Sequence, residues 1–186
     1  MNGRRLLFLV IIVLFLAYFF WPSHFIMDGT RLVKLKVQKI RGMYYYADFL
    51  TIPDGVTEIG DEALKGCAAP ETVIIPAGVK RIGNSAFSGC NMNHLVFLEG
   101  VKELGDYAFS DCEYLNHVMI NKGMTKIGNR AFSGCSSLKD ITIPESVTEI
   151  GQDAFEGCPP NLTIYAPRGS KAQAYALENH ISWARE

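Results

Sequence analysis

The sequence predicts a β-rich solenoid, in which one short unit is copied along the chain with a period of about 23 residues. Five cysteines are spaced 23, 22, 23 and 23 residues apart, and each closes the same phrase, I/L-G-x-x-A-F/L-x-G/D-C. Each phrase follows a short run of β-forming residues and a turn. A fixed period in the twenties is typical of stacked coils, so residues 49–161 should form five repeats with short irregular or helical connections. The cysteines are Cys67, Cys90, Cys112, Cys135 and Cys158.

The strand runs predict which side chains form the core. Side chains alternate between the two faces of a strand, so the aliphatic residues two apart should point inward together. The third copy is one residue shorter than the others, and we place the deletion in the turn between Leu98 and Val101. A single copy buries too little to offset the ordering of its backbone, so the copies must stack. The inward pairs are Leu50/Ile52, Val73/Ile75, Val96/Leu98, Val118/Ile120, Ile141/Ile143 and Leu162/Ile164.

Residues 162–186 should close one end of the solenoid. Leu162 to Ile164 are expected to add a last strand, and Ser170 is placed to cap the N-terminus of a helix from Lys171 to about Asn179. The helix would cover the open core with three side chains. These are Ala172, Tyr175 and Ala176.

Residues 28–48 should close the other end as a β-cap. Val33, Leu35 and Val37 alternate with polar residues, which indicates a strand, and Tyr44 to Tyr46 would lie on the return strand. Five basic residues between Arg31 and Arg41 either guard an exposed edge strand or contact anionic lipid head groups.

Residues 1–27 are predicted to hold a membrane anchor. Residues 6–21 are an uninterrupted apolar run behind Arg4 and Arg5, long enough as a helix to cross a bilayer once. The bulky residues that end the run do not suit a cleavage site, so we expect an uncleaved signal anchor. Arg4 and Arg5 favour an outward orientation of the repeats, whereas the basic residues from Arg31 to Arg41 favour the reverse.

The repeated phrase resembles the bacterial surface-antigen class of leucine-rich repeat, often called BspA-like. The resemblance covers roughly residues 49–186, including the tail from Ile164 to Ala176. It implies a leucine-rich repeat solenoid exposed outside the cytoplasm. It also implies a role in adhesion or in recognition of other proteins.

No residue pattern predicts catalysis, a cofactor or a metal site. The cysteines recur at one position of every coil, which favours a buried ladder of thiols that pack as small hydrophobic residues. His94 and His117 were the most suggestive histidines, but with the deletion after Leu98 they would lie on opposite faces of their strands. The formal net charge of −1 gives no basic field for nucleic acid. We therefore expect neither an enzyme, a small-molecule substrate nor a nucleic-acid partner.

The candidate binding site is an apolar patch on the outer face of the strands. If Val96 and Leu98 point inward, then Leu95 and Phe97 point outward, beside the large apolar side chains of neighbouring strands. Large exposed apolar patches usually mark a contact surface. The alternatives are that the N-terminal segment covers these residues, or that they are tolerated variation. The predicted partner-binding residues are Ile74, Leu95, Phe97, Met119 and His117.

Together these features predict a membrane-anchored, non-catalytic module for protein recognition or adhesion. The alternative is a structural or scaffolding subunit of a membrane complex. Binding of a foreign extracellular protein would favour the first function, and co-purification with one endogenous membrane protein would favour the second.

Overall fold

The computed structural model describes residues 25–35, 49–52, 55–67 and 71–186. Within these residues it contains fourteen strands and one helix. In chain order they are β1 (Phe25–Asp28), β2 (Arg31–Leu35), β3 (Phe49–Thr51), β4 (Glu58–Ile59), β5 (Thr72–Ile75), β6 (Arg81–Ile82), β7 (His94–Phe97), β8 (Glu103–Leu104), β9 (His117–Met119), β10 (Lys126–Ile127), β11 (Asp140–Thr142), β12 (Glu149–Ile150), β13 (Thr163–Ala166), α1 (Lys171–Glu178) and β14 (Ser182–Arg185).

One face of the solenoid is a parallel sheet, here called the ladder sheet. In the described part of the chain it has seven strands in the order β14-β13-β11-β9-β7-β5-β3. Its strands pair in register, as in the pairing of Val73 with Leu95 and of Leu95 with Val118. Because every coil contributes one strand at the same phase, each strand places the same face toward the core.

A second sheet of short strands lies on another side of each coil. Among the described residues its order is β1-β2-β4-β6-β8-β10-β12. The strands β1 and β2 form an antiparallel hairpin, and β2 pairs in parallel with β4 of the first repeat. The hairpin therefore caps this sheet, and its strand β2 contains part of the run that predicted an N-terminal β-strand. One register position of this sheet alternates in charge along the solenoid: Arg31, Glu58, Arg81, Glu103, Lys126 and Glu149.

The repeated G-x-x-A-F-x-G-C phrase forms the third side of each coil. Its backbone amides bond to the next coil; for example, the Phe87 amide donates to the Ala108 carbonyl at 2.8 Å. The phenylalanine rings stack in parallel, with centroids 5.0 Å apart between Phe87 and Phe109 and 5.5 Å apart between Phe109 and Phe132. These rings and the thiols form a continuous buried core.

The third repeat differs from the prediction in the phase of its strand. Leu95 and Phe97 are 4% and 8% exposed, whereas Val96 and Leu98 are 41% and 46% exposed. The inward pair is therefore Leu95/Phe97, and the prediction of Val96/Leu98 was wrong. Ile75 pairs with Phe97, so the missing residue lies before the strand, between Cys90 and Leu95.

The other inward pairs are confirmed where their side chains are described. Val73/Ile75, Val118/Ile120, Ile141/Ile143 and Leu162/Ile164 are buried, as is Ile52. The side chain of Leu50 lies outside the described set.

The C-terminal cap is close to the prediction. Helix α1 ends at Glu178, and the Ser170 hydroxyl accepts a hydrogen bond from the Gln173 amide at 3.2 Å. Its residues Ala172, Tyr175 and Ala176 are buried. The strand β14 was not predicted; it pairs in parallel with β13 and adds a final strand to the ladder sheet.

The predicted anchor at residues 6–21 and the residues Tyr44 to Tyr46 lie outside the described residues. Phe25 and Ile26, which border the predicted anchor, belong to strand β1. In the ranges that the structure describes, no helix has the length and apolar character needed to span a membrane.

Candidate docking face

The outward side chains of the ladder sheet form two parallel rows. Both rows follow from the register of the strands, which places equivalent residues of successive coils side by side. The first row is Thr72, His94, His117, Asp140 and Thr163. The second row is Ile74, Val96, Met119, Thr142 and Tyr165.

Large apolar residues are concentrated at one part of this face. Ile74, Val96 and Met119 occupy adjacent strands and are 38%, 41% and 70% exposed. Leu98 lies two residues beyond Val96, and its amide still bonds to the Ile75 carbonyl at 2.9 Å. We call these four residues the outer apolar patch. In most of the outer positions of the later strands threonine or aspartate stands instead.

The structure brings together only some of the predicted site residues. Ile74 and Met119 belong to the outer apolar patch, and His117 lies beside it on the first row. Leu95 and Phe97 do not belong to it, because both point into the core. Val96 and Leu98 take their place, and sequence reasoning missed them. The spacing of four residues from Phe97 to Val101, equal to that from Ile75 to Val79, was the available signal.

Leu95 and Phe97 support the patch from beneath. The Phe97 ring meets the Phe109 ring edge to face, with centroids 6.0 Å apart and planes at 84°. On either side, strand β7 is paired in register with β5 and β9. The outer apolar patch therefore sits on a packed, hydrogen-bonded surface rather than on a loop.

A histidine pair lies along the first row. His94 and His117 are register partners on β7 and β9, so both point outward, and the expectation that they lie on opposite faces was wrong. His117 Nδ1 lies 2.7 Å from the Asp140 Oδ2 on the next strand. The same misplaced deletion that inverted Phe97 had separated these histidines.

The cysteines have the geometry of packing groups rather than nucleophiles. All five are free thiols. The thiols of Cys112 and Cys135 donate to the Phe87 and Phe109 carbonyls, both at 3.2 Å. Burial raises the pKa of Cys112 to about 12, and it does the same for the half-buried Cys158. A thiol with so high a pKa holds its proton at neutral pH and is a poor nucleophile.

Other chemistry is sparse in the described part of the chain. No three histidine, cysteine or acidic side chains converge there for a metal ion. A cleft of about 320 Å³ separates α1 from the last coil and is lined by Phe155, Tyr175 and His180, among others. It also contains Cys158, whose raised pKa gives no support to nucleophilic catalysis.

Comparison with known proteins defines the family. The model of the BspA type leucine rich repeat region matches residues 43–163 as six copies. The chain belongs to the BspA-type leucine-rich repeat family. Proteins of this class commonly act in protein–protein interaction, are often found at the cell surface, and are typically not enzymes. No curated protein matches the chain.

Several solved bacterial structures share the fold. A leucine-rich repeat protein of T. pallidum is 28% identical, with a TM-score of 0.67 and coverage of 77% of this chain and 69% of the other. A leucine-rich cell surface protein of Faecalibacterium prausnitzii is 32% identical, with a TM-score of 0.65 and coverage of 82% and 38%. A leucine-rich repeat protein of Bacteroides ovatus is 27% identical, with a TM-score of 0.57 and coverage of 74% and 42%. The chain thus spans about four-tenths of the last two proteins.

Proposed function

We propose that the protein is a membrane-anchored recognition module that binds a protein partner through the outer face of its ladder sheet. The contact would centre on Val96 and Met119, with Ile74 and Leu98 beside them and His117 at the edge. The protein would act by binding and not by catalysis.

The outer apolar patch is the observation that carries this proposal. Four large apolar side chains are exposed on one rigid surface, where water gains nothing from contacting them and a partner can bury them. Val96 lies between Ile74 and Met119, so it would form the centre of the contact. Met119 is the most exposed of the four, and its flexible thioether can adapt to an irregular partner surface.

The polar row beside the patch would supply orientation. His94, His117 and Asp140 offer hydrogen-bonding groups along one side of the apolar residues. Interfaces usually combine an apolar centre with a polar rim of this kind. The outer face therefore has the composition of a protein-binding surface.

The membrane part of the proposal rests on the apolar run at residues 6–21 and on the company of the fold. With Arg4 and Arg5 kept in the cytoplasm, the repeats would lie outside, where they could act in adhesion. The structural relative in Faecalibacterium prausnitzii is itself described as a cell surface protein.

Photocrosslinking would identify the partner, and binding measurements would test the face. A photoreactive amino acid at position 119 should capture the partner in intact cells, and the same group at the exposed position 177 of α1 should not. With the captured protein purified, the double variant V96T/M119T should bind at least tenfold more weakly than the natural chain. Leu177→Gln, which removes an exposed leucine elsewhere, is the matched control and should bind normally. Equal affinity of V96T/M119T and the natural chain would refute the docking face.

A protease test would examine the proposed orientation separately. An epitope tag placed after Glu186 should be digested in intact cells if the repeats lie outside. Protection until lysis would place the repeats inside and would favour the scaffolding function over adhesion.

A further inference from the structure

Three adjacent strands of the ladder sheet place His94, His117 and Asp140 side by side. The three are register partners on β7, β9 and β11. Neighbouring strands are about 4.8 Å apart, so the two imidazoles leave the same face as immediate neighbours. Zinc binds imidazole nitrogen at about 2.0–2.1 Å, and one ion between two such rings can reach a nitrogen of each.

The contact with Asp140 determines which nitrogen of His117 is free. An ionised carboxylate accepts hydrogen bonds and cannot donate them, so His117 Nδ1 carries the proton shared over the 2.7 Å contact with Asp140 Oδ2. In the neutral ring the lone pair is then on Nε2, which is available to a metal. A carboxylate behind a ligating histidine is the arrangement that fixes the ring and raises its basicity at metal sites.

His94 supplies the second imidazole. Its ring makes no hydrogen bond with any other side chain in the described ranges, so both of its nitrogens are accessible. The side chains of His117 and Asp140 are 52% and 36% exposed, and the row faces solvent rather than the core. An ion could therefore enter directly and complete its coordination with water.

We propose that His94 and His117 bind one divalent late transition-metal ion, such as Zn²⁺, with Asp140 as the positioning residue for His117. Imidazole is a preferred ligand of these ions. The site has two protein ligands and one carboxylate behind them, which agrees with the absence of a three-ligand group among the described residues. This inference does not depend on the proposed protein partner.

Calorimetric titration of zinc chloride into the full-length chain, prepared without a histidine tag, tests the site at pH 7.5. We expect one ion to bind per chain. His94→Ala and His117→Ala should each weaken binding at least tenfold, and Asp140→Asn should weaken it by about tenfold through the lost orientation of His117. His180→Ala, which removes a histidine in the tail, is the matched control and should bind as the natural chain does. Acidification to pH 5 should abolish the heat, because imidazole must be neutral to bind a metal.

Two results would overturn the proposal. One is the lack of a saturable one-to-one isotherm for the natural chain. The other is a double variant, H94A/H117A, that binds zinc as well as the natural chain while keeping its thermal stability. Partner affinity measured in the presence of a chelator separates this test from that of the docking face.

Discussion

Replacing Phe97 by threonine should destabilise the solenoid, whereas the same replacement of its neighbour Val96 should not. Phe97 is 8% exposed and packs edge to face on Phe109. Truncating a buried phenylalanine costs about 3–5 kcal/mol through lost burial and the cavity left behind. Val96 is 41% exposed, and threonine has nearly its shape and suits a strand, so its replacement should stay within about 0.5 kcal/mol.

Urea and thermal unfolding, followed by far-ultraviolet circular dichroism, measure the two effects. For a chain of this length a loss of about 4 kcal/mol should lower the Tm by about 10 °C. Val96→Thr is the internal control, because it makes a similar chemical change one residue away. The assigned phase of the third strand would be refuted if Phe97→Thr unfolded within about 1 kcal/mol of the natural chain while Val96→Thr lost more.

Three further predictions concern the contacts between coils. Gly128→Ala should cost about 3 kcal/mol in urea unfolding, because its Cβ would lie 2.5 Å from the Gly105 carbonyl carbon; Gly169→Ala, with open space around its Cβ, should lose only about 1–2 kcal/mol from its positive φ. The free energy of unfolding should fall between about pH 9 and 12, since burial raises the pKa of Cys112 to about 12 and the unfolded thiol ionises first; Cys112→Ser should flatten that slope, and an unchanged slope would contradict it. Glu58→Gln should cost about 0.5–1 kcal/mol at low salt, because the Glu58 carboxylate lies 2.8 Å from Arg81, and equal loss in 1 M salt would exclude an ionic cause.

Most of the coil geometry was predictable because the repeat supplies its own evidence. Positions such as Ala108, Phe109 and Cys112 recur in every copy, and the structure buries all three. Capping was also predictable, since Ser170 and the helix that follows it obey local rules. Each of these features is determined by a few neighbouring residues.

The phase of the third strand was not predictable from alternation alone. Leu95, Val96, Phe97 and Leu98 are all apolar, so hydropathy cannot distinguish the inward pair from the outward pair. A deletion can lie on either side of such a run. The distance to the next anchored residue decides it, because Phe97 is four residues before Val101, as Ile143 is before Val147.

The misplaced deletion also explains what the sequence missed at the candidate site. It exchanged Val96 and Leu98 for Leu95 and Phe97 and moved His94 away from His117. The alternating charges of the short-strand sheet were missed for a different reason. Side chains such as Glu58 and Arg81 are 23 residues apart, and only the stacking of coils makes them neighbours.

The most direct test of the docking face compares affinity and stability in two single variants. With the purified partner, Val96→Thr should weaken binding at least tenfold while its Tm stays within about 2 °C of the natural chain. Phe97→Leu should show the opposite, with a lowered Tm and unchanged affinity below that temperature, because leucine keeps an apolar group under the patch but loses the contact with Phe109. If Phe97→Leu weakened binding and Val96→Thr did not, the outer face would not be the surface that the partner contacts.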